Sequence, residues 1–153
     1  MYKRQIVSSD DGINSTATSG QGIVIDGGNL YILAGGDGLD SNSRTAYSGI
    51  VFKGGKTVVI STSGGNSAID TEAGYTYTSG SVLAIMPNGG MTSEATHCSN
   101  FSSVAKKISM SLSSGKTLTV SVSNSAILSV KIPCNLSAIV IYLGSTSANI
   151  SLN

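Results

Sequence analysis

The sequence predicts an all-β protein: a parallel β-helix, or solenoid, that ends in an antiparallel β segment. Three observations predict it. Ser, Thr, Gly and Asn stand where Lys and Glu are usual: of 153 residues only 11% are charged and 19 are Gly. That composition disfavours helices and, with its β-branched residues and low charge, also disfavours disorder. A short pattern repeats: Asp11-Gly12-Ile13-Asn14-Ser15 returns as Asp37-Gly38-Leu39-Asp40-Ser41 and, more weakly, as Ser67-Ala68-Ile69-Asp70-Thr71. Finally, a unit of two or three short strands cannot bury its own apolar face, whereas stacked units can.

Residues 6–90 hold the coils. Each coil reads as a strand, a Gly turn, a second strand, a polar loop and a short strand with an acidic edge. Alternation within strands sorts the side chains into columns. Ile23, Ile50 and Tyr75 are expected to stack inward, as are Ile25, Phe52 and Tyr77, and then Ile13, Leu39 and Ile69. Val24, Val51 and Thr76 should face out, and Asp26, Lys53 and Thr78 should form an outer polar column. Apolar runs at 30–33, 57–60 and 82–85 make a further strand per coil. From about residue 91 the repeat fades. Strands over 108–112, 117–122, 126–132, 139–143 and 148–152, separated by polar turns, read as an antiparallel cap (91–153) over the solenoid's open end. The alternative is an antiparallel sandwich with a coincidental repeat.

Residues 1–5 differ in composition from the rest of the chain and are a candidate non-native extension. Met1-Tyr2-Lys3-Arg4-Gln5 is basic, but no apolar region of an export signal succeeds it, so the native start is expected upstream. The net charge is +1, with no basic stripe for nucleic acid, and no apolar run is long enough to span a membrane. Cys98 and Cys134 match no zinc spacing. They can form one disulfide, or stand as two free thiols.

The repeat has a chemical consequence. Parallel strands lie about 4.8 Å apart, so Asp37 is expected over Asp11, and Asp40 between Asn14 and Asp70. Two carboxylates about 5 Å apart repel by roughly 0.8 kcal/mol even in water. A hard cation relieves this: Ca2+ takes six to eight oxygens at about 2.3–2.6 Å. The candidate metal ligands are Asp11, Asn14, Asp37, Asp40, Asn42 and Asp70, with Glu72 and carbonyls near Gly36 and Gly38 available. The competing reading makes these turn residues that bond nearby backbone, the simpler account for Asn14 alone. Arg44, Tyr47 and Lys53 are the candidate ligand-binding residues. Tyr47, like Tyr31, is placed to stack on a sugar, and Arg44 and Lys53, like Lys56, to pair with uronate carboxylates. Tyr75 and Tyr77 fall in core columns. His97 reads as structural, with no triad around it, and Gly35-Gly36-Asp37-Gly38 is followed by neither the Lys-Ser/Thr nor the helix of a phosphate loop.

Four stretches together resemble the clostridial-type carbohydrate-binding β-helix family: Gly22 to Ile32, Gly36-Asp37-Gly38-Leu39-Asp40-Ser41-Asn42, Gly55 to Ser61, and Gly65-Asn66-Ser67-Ala68-Ile69-Asp70. The likeness covers residues 8–90 well and 98–152 more loosely. It implies a right-handed parallel β-helix, secreted or at the cell surface, that binds calcium and acidic plant polysaccharide such as polygalacturonate without catalysis. It also implies that Asp37, Asp40, Asn42 and Asp70 are metal ligands. The expected function is therefore calcium-dependent binding of acidic, pectin-like polysaccharide, by a monomer or a part of a longer chain. The rivals are a calcium-dependent pectate lyase-like enzyme, whose base would be Lys53, Lys56 or Arg44, and a structural surface or adhesin solenoid.

Overall fold

A computed structural model describes residues 3–153. Three successive coils each contribute one strand to each of three parallel sheets. The first coil is β1 (Lys3–Ser8), β2 (Ile13–Ser15) and β3 (Ile23–Ile25). The second is β4 (Asn29–Ala34), β5 (Leu39–Ser41) and β6 (Ile50–Phe52). The third is β7 (Lys56–Ser61), β8 (Ile69–Thr71) and β9 (Tyr75–Tyr77), after which β10 (Ser81–Pro87) continues the long sheet. Strands β2-β5-β8 and β3-β6-β9 form the two short parallel sheets, and β1-β4-β7-β10 the long one. The predicted columns are the observed register: Ile23, Ile50 and Tyr75; Ile25, Phe52 and Tyr77; Ile13, Leu39 and Ile69. Of the candidate extension, residues 1 and 2 lie outside the described residues. Lys3, Arg4 and Gln5 belong to β1, paired with Asn29, Leu30 and Tyr31.

Glycine makes the close stacking possible. A Cβ on Gly12 would fall 2.5 Å from the carbonyl oxygen of Gly38, and one on Gly38 2.5 Å from that of Ala68. The recurring Asp-Gly is thus the point where one coil's backbone rests on the next.

The last five strands are β11 (Ala105–Leu112), β12 (Thr117–Val122), β13 (Ser125–Lys131), β14 (Leu136–Leu143) and β15 (Asn149–Leu152). They divide between two sheets. Strand β14 adds antiparallel to β10, with β11 beyond it, so the long sheet has six strands. Strands β13-β12-β15 form a separate antiparallel sheet that packs against the outer side chains of the long sheet. The interior's open end is closed by residues 91–104, which include a 3₁₀ turn (Glu94–Thr96) and one turn of helix, α1 (Phe101–Val104). Ala95, Cys98, Phe101 and Val104 plug the core there.

The molecule consequently has two cores that share one sheet. In β10, Val82, Ala84 and Met86 face the coil interior, while Leu83 and Ile85 face the antiparallel sheet. In β14, Ile139, Ile141 and Leu143 face inward, and Ala138, Val140 and Tyr142 outward. A strand covered on both faces needs no polar alternation, which explains the unbroken apolar runs. Cys98 and Cys134 are free thiols. No helix among the described residues is long and apolar enough to cross a membrane.

Candidate functional site

Where the long sheet's strands end, the chain turns into the sheet β2-β5-β8 and gathers carboxylates. The register sets Asn14, Asp40 and Asp70 side by side on three adjacent strands. Just before them, Asp11 and Asp37 face the loops of the following coils. Asp11 Oδ1 accepts the Asp37 N–H at 2.9 Å, and Asp37 Oδ1 accepts the Ser67 N–H at 2.6 Å. The Asn14 amide donates to Asp11 Oδ2 at 3.0 Å and to Asp40 Oδ2. Asp11 and Asp37 are therefore staples between coils as well as anions. A carboxylate reaching one coil up can satisfy a loop amide that no sheet partner reaches.

The cluster is larger than the repeat alone predicts. Of the eight Asp and Glu residues, all but Asp26 act on one another here. Asp37 feels Asp11 and Asp10, Asp40 feels Asp11, Asp37 and Glu72, and Asp70 feels Asp37, Asp40 and Glu94. Asp10 directly precedes Asp11, but the repeat has Gly36 at the equivalent position and so carries no signal for it. Glu94 comes from the end-closing segment, outside the repeat, so periodicity has no signal for it. Burial is the first cause that raises the carboxyls of Asp37 and Asp40, with neighbouring acids adding to it. Asp70 is pushed up to about 6, by burial and then by Asp37, Asp40 and Glu94. Among the described residues none of the seven is ion-paired; the ion pair present joins Lys53 to Asp26 at 3.6 Å.

The donor set is oxygen-only, the chemistry of a hard cation. It is not a cage. Among the described residues no three of His, Cys, Asp and Glu converge as a metal-binding group, and Asn14 presents its N–H groups, not its oxygen, to Asp11 and Asp40. Asp40 and Asp70, paired in register on adjacent strands, are the acids that could share a cation. Asn42 comes directly after β5, its N–H bonded to the Ser15 carbonyl at 3.1 Å.

The three candidate ligand-binding residues do not form one group with the ladder. Arg44 and Tyr47 share the loop between β5 and β6. Tyr47 is 41% exposed, and its ring meets His97 edge-on at 5.4 Å. It holds a left-handed backbone, φ 54°, fixed by its N–H to the Ala73 carbonyl and by the Thr76 hydroxyl on its own carbonyl. That contact supplies His97 with a partner the sequence did not reveal. Lys53 lies beyond β6, held by Asp26. No family model, curated protein or solved structure matches this chain. The functional reading rests on geometry.

Proposed function

We propose that this protein is a non-catalytic module that binds an acidic, pectin-like polysaccharide through a divalent cation, Ca2+ by donor chemistry. The cation is shared between the carboxylate ladder and the carboxylates of the glycan. One observation carries the reading: acids stacked in register on adjacent coils, without a cation partner among the described residues. A nearly neutral protein attracts a polyanion poorly by bulk charge, and a bridging cation inverts the local sign. Such a module acts outside the cell, as a secreted or surface protein, in keeping with its low charge.

Titration calorimetry with polygalacturonate, in calcium and in excess chelator, tests this. We expect the main binding heat to need calcium and to be lost in the double variant Asp40→Asn, Asp70→Asn. Binding of equal strength in chelator would refute it. A second reading, a surface spacer whose coils the cation only stiffens, is favoured by the staple roles of Asp11 and Asp37. It predicts a calcium-raised Tm with no heat on adding glycan. Elimination chemistry, by contrast, needs a base beside the cation. Lys56 begins β7 and the ladder lies past its end, about 16 Å along the strand, while Lys53 is engaged by Asp26.

A further inference from the structure

At the opposite ends of the same strands lies a second feature. A groove of about 480 Å³ runs between the outer face of the long sheet and β13, the edge strand of the antiparallel sheet. Its polar lining is Gln5, Asn29, Tyr31, Lys56, Ser129 and Lys131. Two lysines of a chain with nine cationic residues line it, and among the described residues no carboxylate does. Lys56 Nζ donates to the Ile127 carbonyl at 2.9 Å, so its charge spans the groove from sheet to sheet. Tyr31 is half-buried, packed against the second core. Burial, and then the nearby Cys134, push its phenol up, which keeps it a neutral hydroxyl. An aromatic face, amides and cations without acids are the chemistry of an anionic sugar. An incoming peptide strand on the β13 edge is disfavoured, because Lys56 already occupies the Ile127 carbonyl.

We propose that this groove is a second, metal-independent site for an acidic oligosaccharide, with sugar carboxylates at Lys56 and Lys131, a ring against Tyr31 and a hydroxyl at Gln5. The ligand class rests on the function proposed above; the site does not use the ladder. The two sites lie at opposite ends of the long sheet's strands, so one extended glycan can engage both, and the effective concentration of the second contact adds avidity.

The test is an amide-resolved NMR titration of the full chain with trigalacturonate in excess chelator at low salt. Shifts should concentrate in residues 29–31, 56–58 and 127–131 and fade as salt is added. Lys56→Gln and Lys131→Gln should each weaken binding about two- to five-fold, with Tm unchanged for Lys131→Gln, whose side chain is exposed. Absence of these shifts while calcium-dependent binding persists overturns the groove and leaves the ladder reading intact. Groove shifts without any chelator-sensitive binding support the groove and remove the ladder reading. Equal shifts with neutral cellotriose, or with an extended peptide, overturn the assignment to an acidic sugar.

Discussion

Asp70 shows how much one side chain can report. Its carboxyl titrates at about 6 when folded and at about 3.9 in an unfolded chain. The folded state therefore holds that proton more tightly. The stability it contributes is complete below about pH 4 and is lost as pH rises through about 6. Asp37 and Asp40 are shifted in the same direction. In chelator, the Tm should thus fall between pH 4 and pH 7. Asp70→Asn should flatten that fall and raise the Tm at pH 7 by about 2–4 °C, because it recreates the rung that Asn14 and Asp40 already form. An unchanged pH profile in that variant, monitored by thermal melts, would show that the ladder carries no strain.

Among the elements, the coil-to-coil contact is governed by the Gly column. A Cβ at position 38 would lie 2.1 Å from Val59 Cγ1 and 2.5 Å from the Ala68 carbonyl oxygen. The first can move; the second is backbone. Gly38→Ala should cost about 1–3 kcal/mol by overpacking, read in urea unfolding, whereas Gly64→Ala, with open space around it, should cost far less. The inward columns and the pairing of Asp40 with Asp70 were legible in the sequence, because a stacked repeat converts spacing directly into contact. The group that each carboxylate accepts from was not legible. Asp11 and Asp37 reach amides on the next coil, and the loop path that brings them there depends on how each turn packs.

For the molecule as a whole, the shared long sheet ties both cores together. Leu118 is fully buried in the outer core, and Leu118→Ala should cost about 2–5 kcal/mol. Because β10 and β14 face both cores, the loss should appear as one transition moved to lower denaturant by both far-UV circular dichroism and tyrosine fluorescence. Two separated transitions would contradict the coupling. Charge is also organised at this scale. The acids gather where the long sheet's strands end, and Lys56 of the groove lies where they begin, so a near-zero net charge conceals two ends of opposite character.

The coil, its columns and the rank of acids could be read from the repeat alone, since each depends only on residues one period apart occupying equivalent places. Packing in three dimensions set residues 91–104 to close the interior, β14 and β11 to extend the long sheet, and β12, β13 and β15 to cover its outer face. Those contacts join segments far apart in the chain, and apolar strands of similar length and pattern satisfy many pairings equally well until packing selects one.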